Sequence, residues 1–552
     1  MRNYFKLLYT ICFISVFTAI KAQSIIEPTY NQEIYFFIDN QASKGNIKIF
    51  DAIRPYSRQT IAEKLLELSN KVSALSNTEK EQLDFYKSEY AFEIKFIKKD
   101  TTEINEFFRS GDVNRFKLYK YYDSNFTFDV DPVFGLGYDA VKKNYHQYGG
   151  IKFKGRISSF LSFYFDYRDN LEQGDNLDFR KRFSPETGVI ISKSDVDKIE
   201  YSETRGGLTF GWQWGEFTMA KDFINIGSGY QSPVILSSKA PSFPFIRLDI
   251  SPVKWFHYNF IHAWLNSDLI DSNSIRYTGV TSTYIDRSLS YSSRQKFYVS
   301  HSLSFEPFES WWLTFGESII YSDQIEFIYF LPVFYRLADH YNSMDGGDTG
   351  DNAQIFFNTS YRWEEIKSKF YLSLYIDEFS PESIFSGGDN AQVYAVTLGG
   401  KFTNPFWSDS YFTLEYSALK PYSYMNGDPA QTYFSSGYQL GHWVGSNSVQ
   451  YYFLFEQYIA RPLKIEAMFQ LIKKGSKEDI NDYYNRVTST YPLLSGDVST
   501  YSELGLKISY NPFHDLFFTI DYRNVFNADG RFENEFSVKK GSSFSTTINY
   551  GF

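Results

Sequence analysis

After about residue 102, apolar and polar residues alternate with a period of two, which predicts β-strands with two unlike faces. The clearest run is 151–168. Ile151, Phe153, Gly155, Ile157, Leu161, Phe163, Phe165 and Tyr167 fall on one face, and Lys152, Lys154, Arg156 and Arg168 fall on the other. One apolar and one cationic face fit a strand with lipid outside and water inside. The pattern recurs near 118–130, 201–215, 216–224, 243–251, 254–265, 293–305, 311–321, 353–362, 368–377, 390–402, 410–418, 447–456, 462–472, 501–509, 515–523 and 543–552. The final stretch, GSSFSTTINYGF, sets Phe544, Thr546, Ile548, Tyr550 and Phe552 on one face and reads as the closing strand, with its last aromatic in an interface girdle.

Connection lengths supply the topology. Asn511–Asp515, Phe305–Ser310 and Ser251–Val253 are short turns, whereas 169–200, 225–242, 266–292, 322–352, 378–389, 419–446, 473–500 and 524–541 are long polar loops. Short turns belong to the periplasmic side of such a barrel and long loops to the outside. Counting back from a last strand that ends inside, the strand at 118–130 runs inward, and an outward strand within 102–112 precedes it. The predicted fold is all-β: a transmembrane antiparallel β-barrel of about 18 strands with a small N-terminal helical periplasmic region.

The period differs at the start of the chain. Ile34, Phe37, Ile38 and Ala42 are spaced for a helix that Gly45 can end, and Ser57 precedes a second helix carrying Ile61, Leu65, Leu66 and Leu68. Ser76-Asn77-Thr78-Glu79 is a capping box opening a third, with Leu83, Tyr86 and Tyr90 on one face. Residues 1–22 read as a secretory signal peptide: Arg2 and Lys6, an apolar run from Leu7 to Ile20, and a cut after Ala22. The expected organisation is therefore signal peptide 1–22, periplasmic helical domain 23–100 and outer-membrane barrel 101–552.

Composition narrows the class. Tyr (46) and Phe (55) dominate, aromatics reach 20%, and mean hydropathy is nevertheless −0.37. A barrel of alternating faces leaves that signature, because no strand needs a long apolar run. Loss of Arg2, Lys6 and Lys21 with the leader shifts the net charge from −10 to −13, which argues against nucleic acid as a partner. The one cysteine, Cys12, lies in the leader, so disulfides, Cys-ligated zinc and Cys nucleophiles are excluded from the mature chain.

Candidate chemistry is sparse. Gly350-Asp351-Asn352-Ala353-Gln354 recurs as Gly388-Asp389-Asn390-Ala391-Gln392, each where a strand leaves an outer loop. Gly-Asp-Asn suits a turn whose side chains bond nearby backbone; the functional reading aims both carboxylates at one site in the barrel mouth. Asp345, Asp348 and Asp351 recur every three residues in DGGDTGDN and are candidate oxygen ligands for calcium in an extracellular loop, although the pattern is not an EF-hand. No other cofactor is called for. Asp377-Glu378 and Glu364-Glu365 are carboxylate neighbours that strand geometry points to opposite faces, and His257 and His262 are a poor metal pair for the same reason. No nucleophile elbow, P-loop or HExxH occurs, so nothing argues for an enzyme. Tyr422, Tyr424, Tyr433 and Trp443 sit in outer loops where rings could stack on sugars, while most other tryptophans read as girdle residues.

Several segments look familiar in order. Arg54-Pro55-Tyr56-Ser57-Arg58 leading to Ile61–Leu66, then Leu236–Pro244 with Ile246-Arg247-Leu248, then Gly316–Tyr321, Leu331–Tyr335, Gly350-Asp351-Asn352 and Tyr375–Glu378 resemble the Wzi-type capsule assembly proteins. The similarity spans most of 30–400; the last third matches in architecture. The resemblance implies an 18-stranded barrel with a helical periplasmic part that holds exported capsular polysaccharide at the cell surface in a lectin-like way. The chain is also similar to RemB-like gliding motility proteins of Bacteroidota, which implies the alternative of a motility, adhesion or secretion component acting through protein partners. Expected partners are outer-membrane lipid and surface polysaccharide. The candidate glycan contacts are Asp351, Asn352, Asp389 and Asn390, joined by Asp377 and Tyr321 of the same run.

Overall fold

The computed structural model describes residues 25–107, 117–279, 289–342, 350–378, 392–485 and 491–551, and every structural statement concerns these. Eighteen antiparallel strands among them close into a barrel. They are β1 (Phe126–Asp139), β2 (Asn144–Ile157), β3 (Leu161–Gln173), β4 (Lys198–Trp212), β5 (Gly215–Asp222), β6 (Phe243–Val253), β7 (Phe256–Ile270), β8 (Ser293–Phe308) and β9 (Trp311–Ser322). The second half comprises β10 (Asn352–Trp363), β11 (Ser368–Glu378), β12 (Val393–Thr403), β13 (Ser410–Leu419), β14 (Ser448–Ala460), β15 (Leu463–Lys474), β16 (Ser499–Phe513), β17 (Leu516–Ala528) and β18 (Gly541–Tyr550). Neighbours in sequence are neighbours in the wall, and β18 returns to β1 with Ile548 opposite Leu136.

The alternation works as a sorting rule. Leu136, Leu398, Leu504, Leu506 and Ile508 point outward and are exposed, forming part of an apolar belt suited to hydrocarbon. Trp214, Trp255, Trp363 and Trp407, all exposed at the short-turn end, form one interfacial girdle. Among the described residues no helix is long and apolar enough to cross a membrane.

The total agrees with the expected 18, but the first three members differ. The run 151–168 is two strands: a turn at Ser158–Phe160 reverses the chain, with Ser158 at φ +55° and Ile157 opposite Leu161. Because that turn returns the chain to the same face after an even number of steps, the alternation passes through it unbroken. The strand expected within 102–112 and the one at 118–130 are not two wall strands either. Ile104–Phe107 and Tyr119–Tyr122 form a short ribbon whose second arm pairs with Thr127–Val130 of β1. The last strand meets only the far half of β1, from Phe134 to Asp139, so the ribbon completes the wall near the short turns.

Before the wall come α1 (Gln32–Ser43), α2 (Arg58–Ser69), α3 (Asn77–Glu89) and α4 (Ala91–Ile97). Their caps are those the sequence predicts. Ser57 Oγ accepts from Thr60 N–H, Ser76 and Glu79 complete the reciprocal box, and Gly45 takes φ +73° past the end of α1. Ile34, Phe37, Ile61, Leu65, Leu83 and Tyr86 bury their stripes against one another. The bundle sits at the short-turn end: Phe85 stacks on His514 at 3.7 Å, and Ser76 donates to Asp409 at 2.7 Å.

Candidate functional site

Inward-facing wall residues are polar, and a polar wall can only be buried if partners satisfy it. The N-terminal region supplies them from one end. Asp39 of α1 meets Arg362 and Lys369 at 3.2 Å and Lys401 at 3.4 Å, and Asp51 meets Arg362 and Lys369 at 2.6 Å. Glu33 accepts from Lys464 and Tyr458 at 2.6 Å each.

Residues 223–242, of which 225–242 read as a long loop by sequence, fold into the lumen from the other end. Ile226 and Asn225 pair with Ile53 and Arg54, so the N-terminal segment and the loop share a two-stranded ribbon inside the barrel. Ser228 N–H donates to Asn358 and Ser373 on the wall at 2.8 and 2.7 Å, and Tyr230 N–H donates to Glu415 at 2.6 Å. Ile224, Val234, Ile235 and Leu236 are fully buried there with Tyr298 and Tyr375. Residues 420–447 close over them: Tyr424 donates to Val234 O at 2.6 Å and Tyr433 to Ile235 O at 2.8 Å. The rings expected to stack on sugars are therefore occupied. Tyr422, Tyr424, Tyr433 and Trp443 are all buried, because an aromatic with one polar tip can line a protein-filled lumen.

The predicted site residues hold these loops. Asp351 stands at the rim, accepting from Tyr329 at 2.6 Å on one side and from Gln431 at 3.1 Å on the other. Burial pushes its carboxyl up to about 6, opposed by the Tyr329 bond. Asn352 donates to Gln431 O at 2.8 Å, and Asp377 accepts from Tyr424 N–H at 2.7 Å. Three of the candidates thus converge on residues 420–447. Tyr321 instead lies on the outer face of β9, 1% exposed, with its hydroxyl 2.9 Å from His262 Nε2. Asp389, Asn390, Asp345 and Asp348 lie outside the described residues. Among the described residues no group of three or more His, Cys, Asp or Glu is placed to hold a metal ion. His257 and His262 do face opposite ways: His257 stacks on Phe50 in the lumen at 4.3 Å, and His262 faces outward.

The mouth presents another cluster, which sequence reasoning missed. Tyr484 is 51% exposed and its hydroxyl accepts from Gly427 N–H at 3.3 Å. Its ring lies on Gly427, where a Cβ would come within 3.0 Å of it. Next to this, Arg294 grips Asp428 with two bonds of 3.0 and 2.9 Å and Asp323 with bonds of 2.6 and 2.8 Å. Asn426 caps the same turn by accepting from Asp428 N–H at 2.9 Å. A half-exposed ring beside an amide and a carboxylate–guanidinium fork offers CH–π contact and polar bonds to a sugar. Only the doublet Tyr483-Tyr484 inside a polar loop could have signalled it.

The fill is off-centre. Inward residues of β8 to β13 such as Ser300, Thr314, Asn358, Ser373 and Thr397 are buried, whereas Thr519, Thr547 and Asn549 of β17 and β18 are half-exposed. A cavity of about 620 Å³ remains on that side, lined among others by Tyr30, Glu89, Lys152, Lys154, Lys507 and Asn549.

Comparisons with known proteins fit this architecture. No family model and no curated protein sequence matches the chain. Among solved structures it is similar to Wzi of Escherichia coli, described as an outer membrane protein involved in group 1 capsule assembly and a carbohydrate-binding β-barrel. The two align with TM-score 0.55 at 13% identity, over 96% of this chain and 100% of that one. OprD of Pseudomonas aeruginosa (TM-score 0.40, 14% identity, 77% of this chain and 93% of that one) and OccAB2 of Acinetobacter baumannii (0.42, 11%, 77% and 97%) are less similar. What the likeness to Wzi establishes is the fold: a closed 18-stranded barrel of the kind found in outer membranes, with helices at its N-terminus.

Proposed function

We propose that this chain is a non-enzymatic outer-membrane barrel that binds surface polysaccharide at its mouth and so anchors or assembles capsule. One observation carries the reading: the lumen beneath the long loops is packed with residues 223–242 and 420–447, so the chemistry open to that side lies at the mouth, while the remaining cavity lies beside the N-terminal region. Long loops would face the cell exterior and the helical region the periplasm, as in barrels with short periplasmic turns. Tyr484, Asn426, Asp428 and Arg294 are the proposed sugar-facing groups. Asp351, Asn352 and Asp377 hold residues 420–447 beneath them, Tyr321 packs on Tyr329, which donates to Asp351, and Asp389 and Asn390 are proposed as further glycan contacts. The similarity to a carbohydrate-binding barrel supports the substrate class without naming the glycan.

The test is binding of the purified barrel to surface polysaccharide from its own host, beside Tyr484→Ala and an Asp351→Ala/Asp389→Ala double variant. Saturable binding by the wild type that both folded variants lose is the expected result. Binding unchanged in both would move the site away from the mouth. No binding by the wild type would defeat the glycan reading in favour of a motility or secretion role through protein partners.

A further inference from the structure

Residues 327–335 read FIYFLPVFY, nine residues without a charge, inside what connection length marks as a long polar loop. The structure shows where that run goes. Phe260 and His262 of β7, Phe297, Val299 and His301 of β8, and Glu317, Ile319 and Tyr321 of β9 all lie on the outward face of the wall. Outward residues elsewhere are exposed, Phe315 at 52% and Leu398 at 53%, yet Val299 and Ile319 are at 0% and Phe260 at 8%. They are covered because the segment after β9 turns down over the outside of the barrel. Tyr329 packs on Tyr321 at 4.9 Å, Phe330 stacks on His262 at 4.6 Å, and Tyr335 lies 4.3 Å from His301. A helix, α5 (Tyr335–Asn342), ends the descent, contacting β9 and β10.

Among the described residues nothing covers the other side of this segment. Phe327 is 82% exposed, Phe334 74%, Leu337 55% and Leu331 52%. Depth decides what solvent these side chains meet. Tyr335 N–H donates to Glu317 at 2.9 Å, and Glu317 stands on β9 between the girdle at Trp311 and the rim at Tyr321. At about 3.3 Å per residue and a tilt of about 40°, Glu317 is roughly 15 Å above that girdle, inside an apolar band about 25 Å tall. Backbone at that depth must find its hydrogen bonds within protein. Several of its groups do: Tyr329 N–H bonds Glu326 O, Leu331 N–H bonds Ile328 O, Ala338 N–H bonds Phe334 O, and the wall supplies Glu317 for Tyr335 N–H. Two polar wall groups are partnered in turn, His301 Nε2 with Glu317 at 2.9 Å and His262 Nε2 with the Tyr321 hydroxyl.

We infer that residues 325–338 form an intramembrane flap, lying on the outer wall of the barrel with Phe327, Leu331, Phe334 and Leu337 against the acyl chains of the leaflet on the long-loop side. The occupant is lipid because the flap continues the lipid-facing belt of β7 to β10 and turns exposed apolar side chains away from the wall at that depth.

The test uses the full chain in phosphatidylcholine vesicles, with Cys12→Ser and single nitroxide labels at Leu331→Cys or Phe334→Cys. Leu398→Cys on the bare wall is the lipid reference, and Tyr277→Cys, 85% exposed on a loop, is the water reference. Heat-modified gel mobility verifies folding, and Phe327→Cys and Leu337→Cys replace any label that disturbs it. The flap positions are expected to collide with oxygen in preference to a nickel chelate, as Leu398→Cys does. If the folded variants instead follow Tyr277→Cys, favouring the nickel chelate, the segment lies in water and the inference falls.

Discussion

Asp39 of α1 and Arg362 of β10 are 323 positions apart in the chain and meet inside the lumen at 3.2 Å. Lys369 and Lys401 share the same carboxylate, so one acid from the N-terminal region neutralises cations from three consecutive wall strands. Charges this deep are tolerable only while paired, and removing one partner leaves the rest uncompensated.

Asp39→Ala should therefore loosen the N-terminal region while the wall stays closed, at a cost of roughly 3–5 kcal/mol for breaking a buried pair. Single-barrel conductance in planar bilayers checks this. The wild type should be near silent and the variant should show openings; equal silence in both would mean the fill does not depend on this cluster.

Acid should act on the same contacts. Burial alone would raise Asp39 and Asp51, but Lys369, Lys401 and Arg362 hold Asp39 well below its ordinary value of 3.8, and Arg362 and Lys369 hold Asp51 at about 2. A depressed carboxyl stabilises the folded state above its unfolded pKa and loses that contribution as pH falls through the folded value. Helical ellipticity should persist at pH 4 and decline toward pH 2 while the strand signal remains. Loss of helix signal already at pH 6 would point to other groups.

At the mouth, Tyr484→Ala should weaken polysaccharide binding about tenfold, the equivalent of roughly 1.4 kcal/mol. Tyr484→Phe keeps the ring and should retain most of the affinity. Calorimetric titration distinguishes them, and equal loss in both would assign the effect to the hydroxyl bond with Gly427 rather than to stacking.

Gly150 on β2 has no room for a side chain, since a Cβ would lie 1.9 Å from the backbone oxygen of Tyr167. Backbone cannot swing away as a side chain can, so Gly150→Ala should cost about 1–3 kcal/mol or more by overpacking. Urea midpoints in detergent would show it, and an unchanged midpoint would mean β2 and β3 can separate without penalty.

The sequence carried the wall well because alternation is a local consequence of having lipid on one side and water on the other. It hid the reversal at Ser158–Phe160, where Ile157 and Leu161 keep the same outward phase. It was weaker on the loops, since connection length says nothing about direction. Val234, Ile235 and Leu236 were apolar residues in a segment read as polar, and FIYFLPVFY was a second exception in another. Of the mouth, the rim residues Asp351, Asn352 and Asp377 stood out by motif. Tyr484 and Arg294 come together only through contacts between loops distant in sequence.

The two-stranded ribbon of Ile53–Arg54 with Asn225–Ile226 joins a segment that precedes every wall strand to one that follows β5, inside the closed wall. Of the wall pairings, that of β1 with β18 spans the greatest length of chain and carries the greatest loop-closure cost. The protein is wrapped around a part of itself, and the seam between its first and last wall strands closes the wrapping.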